Sequence, residues 1–240
     1  RQLGLCSTAT LVTNREPFPR GGVSGSIRAV VECMIVDDHP VVRVGLGALI
    51  NKQKDLTVSG EVASGREVLA KLSEHPTDVL VADLALADMN GLEVVKQVRG
   101  EYPDMPILVL SMHDERLFAE RALRAGANGY IMKDTAPQDL MEAIRKVVRN
   151  EVTVSQRQSD IMVRRMFGQA GKVGDSPLAG LTDRELQVFE LLGRGNQSRM
   201  IAKQLFISVK TVETHFAHIK KKLGLKTQVE LLHYAFGWVN

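Results

Sequence analysis

Four short apolar runs alternate with stretches of helical period: Cys33-Met34-Ile35-Val36, Val79-Leu80-Val81-Ala82, Ile107-Leu108-Val109-Leu110 and Tyr130-Ile131-Met132. Near-continuous apolar runs of this length suit strands covered on both faces. Their alternation with helices implies a parallel sheet with helices on either side. In such sheets ligands bind outside the carboxyl ends of the strands. Each run ends at, or is directly followed by, a polar residue: Asp37 and Asp38, then Asp83, then Ser111, then Lys133. Three carboxylates, one hydroxyl and one ammonium are thereby expected on one rim.

The chain of 240 residues is long enough for one large domain or two small ones. No apolar run approaches the roughly 18 residues of a membrane span, so no membrane partner is expected. Of the two cysteines, Cys6 and Cys33, the second lies in an expected buried strand and reads as a small core hydrophobe. That argues against a disulfide framework and for a reducing, cytoplasmic setting. The charge is unevenly divided. Residues 1–150 carry a net −2 and residues 151–240 a net +5. Nucleic acid is therefore sought in the second half.

Residues 1–27 show no period, are broken by Pro17, Pro19, Gly21, Gly22 and Gly25, and read as a disordered tail. Residues 28–150 read as five strand–helix units: strands near 29–36, 56–63, 78–82, 107–110 and 129–132, helices near 40–50, 65–73, 91–99, 114–125 and 137–149. This is a (βα)5 doubly wound parallel sheet of the flavodoxin-like kind. Residues 151–180 form a linker with a short amphipathic helix, about Ser155–Phe167, followed by Gly168, Gly171, Gly174, Ser176, Pro177 and Gly180. Residues 181–240 form an all-α domain of four helices, near 183–192, 198–205, 209–223 and 228–238. Thr182 with Glu185 makes a capping box, Ser208 and Thr227 are caps, and Gly224 is a stop.

Two adjacent acids and a third from another strand make a hard oxygen cage suited to Mg²⁺. Beside a bound cation Asp83 can remain ionised as a nucleophile, and Lys133 and Ser111 can contact the oxygens of an incoming phosphoryl group. The bland alternative, aspartates capping helices, explains any one of these residues but not five at four strand ends. Val36-Asp37-Asp38-His39-Pro40, Asp83-Leu84 with Gly91 eight residues on, Ser111, and Gly129-Tyr130-Ile131-Met132-Lys133-Asp134 together resemble a two-component receiver domain. The resemblance implies that Asp83 accepts phosphate from a sensor histidine kinase. It implies that Asp37, Asp38 and Asp83, with the backbone carbonyl of Ala85, hold Mg²⁺. Ser111 would be the switch hydroxyl, Lys133 the catalytic lysine and Tyr130 the rotating aromatic. The sequence departs from the family at Ala87, where a proline is usual, and at Asp134. Read from the residues alone, Tyr130 can equally be a static aromatic packed on the fourth helix.

In the C-terminal part, residues 198–205, a short turn and residues 209–223 have helix-turn-helix spacing. Val209, Val212, Phe216, Ile219 and Leu223 form an apolar face at i, i+3, i+4 spacing. The opposite face carries small and polar residues and then lysines, which suits a major groove, although a small bundle with a solvated charged face has the same look. Leu181-Thr182-Asp183-Arg184-Glu185, Ile201-Ala202-Lys203-Gln204-Leu205, Ile207-Ser208-Val209-Lys210-Thr211-Val212-Glu213-Thr214-His215 and Lys222-Leu223-Gly224-Leu225 resemble the LuxR-type helix-turn-helix. The two halves together look like the NarL/FixJ family of response regulators. The resemblance implies binding to double-stranded DNA as a homodimer, with Glu213, Thr214 and Ala217 at base-reading positions. Lys210, Thr211, His218 and Lys221 are candidates for backbone contacts, and Gln197 and Ser198 for phosphate. His215 reads as a support of the fold. Leu231, Leu232, Tyr234, Ala235 and Trp238 line either a dimer seam or the closing face of the bundle.

The expected function is a DNA-binding transcription factor controlled by phosphorylation of Asp83. The chain is not expected to be an enzyme beyond forming and losing its own phosphate there. Phosphatases with an aspartate nucleophile usually carry a second acid two residues on, and here that position is Ala85. A phosphorylation-independent DNA-binding regulator with a partner-controlled receiver is the alternative.

Overall fold

The computed structural model describes residues 30–166 and 177–239. The expected tail over 1–27, Phe167 and the glycines Gly168, Gly171 and Gly174 lie outside them. The described chain begins with β1 (Val31–Val36), α1 (Pro40–Asn51), β2 (Leu56–Val62), α2 (Val68–Glu74), β3 (Val79–Ala82) and α3 (Gly91–Glu101). It continues with β4 (Ile107–Ser111), α4 (Glu115–Ala125), β5 (Gly129–Met132), α5 (Pro137–Val148) and α6 (Gln156–Met166). The C-terminal part holds α7 (Asp183–Gly193), α8 (Ser198–Gln204), α9 (Val209–Leu223) and α10 (Gln228–Val239).

The five strands form one parallel sheet in the order β2-β1-β3-β4-β5. Alternation along β1 shows why both faces are covered. Cys33 and Ile35 join a core with Leu46, Ile50, Leu140 and Ile144 of α1 and α5. Met34 and Val36 join the opposite core with Val95, Val98 and Phe118 of α3 and α4. Burial pushes the Cys33 thiol up to about 12, with Asp78 and Asp55 adding to it, so this cysteine is a core side chain rather than a reactive thiol. The strand order reverses between β1 and β3, the point at which sheets of this kind place a binding crevice at the carboxyl ends. Among the described residues no helix is long and apolar enough to cross a membrane.

Local chemistry starts and stops the helices. Asn90 accepts from Leu92 N at the head of α3, Asp114 from Arg116 N at α4, and Ser208 from Thr211 N at α9. Thr182 and Glu185 form the reciprocal capping box of α7. Gly126 and Gly224 end α4 and α9 in the left-handed region, at φ 112° and 69°.

Three expectations change. The stretch expected as one helix from Gly65 opens as a 3₁₀ turn over Gly65–Glu67, because the Asp88 carboxylate takes Ser64 Oγ, Gly65 N and Arg66 N together. Ser111 is the last residue of β4 rather than a residue beyond it. The stretch read as linker with a short helix also makes contacts at its two ends. Thr153 pairs with Gly129 at the open edge of β5, taking Tyr130 N at 2.7 Å. Pro177–Gly180 form a 3₁₀ turn that buries Leu178.

Candidate functional site

The parallel ladder brings the polar strand ends to one rim. Asp83 N donates to Val36 O at 2.8 Å, and Lys133 N to Ser111 O at 2.9 Å, so the chain stays in register one residue past each strand. Asp37 and Asp83 are almost wholly buried. Lys133 reaches across from β5 and places Nζ 2.5 Å from Asp37 Oδ2 and 2.6 Å from Asp83 Oδ2. Burial alone would lower the Lys133 pKa, but the charge of Asp83 and the hydrogen bonds to both carboxylates raise it, so the ammonium stays charged. Burial, reinforced by Asp37 and Asp83 and opposed by His39, raises the Asp38 carboxyl above its ordinary range.

The donor set fits a hard divalent cation. Asp37, Asp38, His39 and Asp83 each offer a ligand atom, all within 4.8 Å of one another. Asp83 Oδ1 is buried and has no hydrogen-bond partner, while its twin oxygen is held by Lys133. A buried carboxylate oxygen left alone is expensive, and a cation beside it removes the expense. Ala85 is exposed at the mouth of the crevice, paired with Asn90 through an isolated bridge.

His39 and Arg43 were not singled out in the sequence. His39 Nδ1 lies 2.7 Å from Asp38 Oδ1 and 3.3 Å from Asp37 Oδ1, and Arg43 donates to Asp37 O at 2.6 Å. His39 directly follows the acid pair, and that adjacency was the available signal.

Ser111 is fully buried, and its Oγ accepts from His113 N at 3.2 Å. Tyr130 is fully buried too, its hydroxyl donating to His113 O at 2.7 Å. Burial holds its phenol well above the ordinary value, so it is a neutral donor.

The second surface is α9. Val212, Phe216 and Ile219 face the bundle, while Lys210, Thr211, Glu213, Thr214, Ala217, His218 and Lys221 are exposed. The receiver does not cover this face. The turn before it is tight enough to hold Phe206 at φ 52°, a left-handed conformation that side chains seldom adopt. Glu213 Oε1 accepts the Ser198 hydroxyl at 2.5 Å, so Ser198 is engaged within the protein while Gln197 is exposed at the cap of α8. His218 lies 3.8 Å from Glu185, whose carboxyl also holds Lys222 at 2.6 Å. His215 is half-buried against the bundle. Burial and the nearby Arg184 lower its pKa, outweighing Glu185. In α10, Leu231 and Ala235 are buried and close the bundle, with Tyr234 and Trp238 packed against them, whereas Leu232 is exposed beside Val229 and Phe236.

Known proteins share both halves. The response regulator receiver domain family matches residues 33–145, and the luxR family of bacterial regulatory proteins matches residues 179–235. The oxygen regulatory protein NreC of Staphylococcus carnosus is 36% identical over 209 residues, 85% of this chain and 96% of that protein. NreC of Staphylococcus epidermidis is 37% identical over 210 residues, with the same coverage. Among solved structures, RcsB from Salmonella enterica serovar Typhimurium, bound to a promoter in the presence of the phosphomimetic BeF3-, is 25% identical, covering 85% of this chain and 98% of that one with a TM-score of 0.59. A LuxR-family two-component response regulator from Aurantimonas sp. is 30% identical, covering 57% and 99%, with a TM-score of 0.53.

Proposed function

This chain belongs to the two-component response regulators that join a receiver domain to a LuxR-type DNA-binding domain, and from that premise we propose that phosphorylation of Asp83 by a sensor histidine kinase controls its action on DNA. The observation that carries the proposal is the state of Asp83: buried, one oxygen held by Lys133 and the other without a partner, in the crevice of the strand-order reversal. A carboxylate oxygen attacks the phosphorus of the donor phosphohistidine. The P–N bond breaks, its electron pair leaves with the imidazole, and that nitrogen takes up a proton. Lys133 turns from the carboxylates to the phosphoryl oxygens, and the Ser111 hydroxyl donates to one of them. Asp37, Asp38, Asp83 and the Ala85 carbonyl would hold Mg²⁺, which when bound offsets the charge of the carboxylates and the phosphoryl group. With alanine at position 85, no second acid stands ready to turn over a small phosphoester, so the chemistry is confined to forming and losing the Asp83 phosphate.

The phosphate adds roughly −1.5 to −2 charge and new acceptors. Ser111 moves toward it, and Tyr130 follows into the space left behind. On DNA, Glu213, Thr214 and Ala217 read base edges, with Glu213 accepting from a cytosine amino group. Lys210, Thr211, His218, Lys221 and Gln197 serve the backbone, and Ser198, its hydroxyl held by Glu213, does so through its main-chain N–H at the head of α8. Two copies paired through α10 would place two recognition helices on successive half-sites, in the cytoplasm where DNA and kinase meet. Mg²⁺-dependent labelling by acetyl phosphate tests the reading: one phosphoryl group per chain is expected, and none in Asp83→Asn. Unlabelled wild-type protein that still bound its operator would return the chain to a phosphorylation-independent regulator.

A further inference from the structure

The C-terminal helices are fastened to the receiver at a point that also touches Ser111 and Tyr130. Leu117 and Phe118 of α4 belong to one continuous buried cluster with Leu178, Leu181, Leu186 and Phe189. Within this apolar seam sits a polar group. His113 Nδ1 lies 2.5 Å from Glu190 Oε2 of α7, with His113 only 7% and Glu190 only 1% exposed. The other Glu190 oxygen accepts Arg194 at 2.5 Å, and Arg194 also donates to Met112 O at 2.8 Å. The His113 ring stacks on Phe118 at 4.7 Å. Further along α4, Arg121 pairs with Asp183 at 2.8 Å and Arg116 donates to Trp238 O at 3.2 Å.

We propose that His113, Glu190 and Arg194 form a latch that holds α7 on α4 in the unphosphorylated protein and that the move of Ser111 releases. The inference rests on the reading of Asp83 as phosphoacceptor. Its physical basis is that one residue serves both sides. The His113 backbone satisfies Ser111 Oγ through its N–H and Tyr130 through its carbonyl, while its ring meets Glu190. If the Ser111 hydroxyl turns to a phosphoryl oxygen and Tyr130 shifts, the backbone of His113 loses both partners in a buried loop, which folded proteins avoid. The loop must move, and it carries the imidazole with it. Glu190 is then a buried carboxylate short of a partner, a state relieved when α7 leaves α4 and water reaches it. The DNA-reading face of α9 is already open in the latched form. The latch therefore governs where the DNA-binding helices are held, and not whether the recognition helix is covered. Freed from α4, two copies can take the spacing that adjacent half-sites demand.

The test uses the full chain with Glu190→Gln and Arg194→Ala, each also combined with Asp83→Asn. Amide hydrogen exchange of α4 and α7 reports opening, and the single tryptophan, Trp238, packed beside Arg116 at 5.9 Å, gives a fluorescence signal from the same seam. BeF3- with Mg²⁺ serves as the phosphoryl probe. Both variants are expected to speed exchange in α4 and α7 about tenfold and to bring the Trp238 signal to that of BeF3--treated wild type. The Asp83→Asn background should leave this unchanged. By linkage, the BeF3- concentration for half-saturation should fall by the same factor. Arg194 is half-exposed, so Arg194→Ala decides the matter if Glu190→Gln fails to fold. Exchange and fluorescence unchanged in the variants overturn the latch, whatever happens at Asp83. Variants that open while BeF3- leaves the wild-type seam closed overturn the coupling, and the phosphoacceptor reading then stands or falls separately on acetyl phosphate labelling of Asp83.

Discussion

Gly91 is the residue through which α3 rests on the phosphoacceptor strand. A Cβ added there would lie 2.3 Å from the Asp83 carbonyl oxygen and 2.4 Å from Leu84 Cα. Ordinary contact begins at 3.4 Å, so the two backbones would have to separate by about 1 Å. No rotamer change relieves this, because both obstacles are main chain, and Gly91 N also donates to Leu84 O at 3.0 Å. Overpacking of this kind costs about 3 kcal/mol. Gly100, in the same helix, is the control. A Cβ there meets nothing within 4 Å, and Gly100→Ala should stabilise by about 0.5–1 kcal/mol. Urea unfolding followed by far-ultraviolet circular dichroism should put Gly91→Ala well below wild type and Gly100→Ala slightly above it. Acetyl phosphate labelling should fall in Gly91→Ala even under conditions where it is fully folded, because Asp83 itself is displaced. If the two variants had equal stability and labelling, the close contact of α3 with the β3 end would be wrong, and with it the placement of Asp83.

Lys133→Met should lower metal-free stability by about 3–5 kcal/mol, since it strips a buried partner from two carboxylates. Millimolar Mg²⁺ should recover more stability in the variant than in wild type, read from thermal melts. His215 titrates below its ordinary 6.5 in the folded chain. On acidification the unfolded state takes up the proton first, so stability should fall as pH drops from about 6.5 towards the folded value. Denaturation at about pH 7 and 5.5 should show the loss in wild type and a smaller one in His215→Gln. Glu213→Gln should relax discrimination at one base pair by about 1–3 kcal/mol in a selection of operator variants, leaving the salt dependence of binding unchanged.

Much of this molecule can be read from its residue pattern, for definite reasons. Apolar runs such as Val79–Ala82 leave little choice but a strand covered on both faces, and the parallel arrangement then sends Asp37, Asp83 and Lys133 to one rim. Caps are local, so Thr182 with Glu185 and Ser208 with Gly224 place the ends of α7 and α9 to within a residue. What escapes the pattern is set by distant partners. Asp88 tightens the turn at Gly65 from 22 to 24 residues away. Thr153 looks like linker until it meets Gly129 at a sheet edge. His113 and Glu190 stand 77 residues apart, one in a loop and one on the apolar side of α7, and neither position carries a period or spacing that names the other. The α10 apolar residues divide only when the bundle closes: Leu231 and Ala235 turn in and Leu232 stays out.

The central claim is that the state of Asp83 sets the binding of DNA. Fluorescence anisotropy against a selected operator, with and without Mg²⁺ plus acetyl phosphate and at two salt concentrations, tests it most directly. The account predicts tighter, salt-sensitive binding with the donor and no change on adding the donor to Asp83→Asn. Equal binding by phosphorylated and unphosphorylated wild type would contradict it.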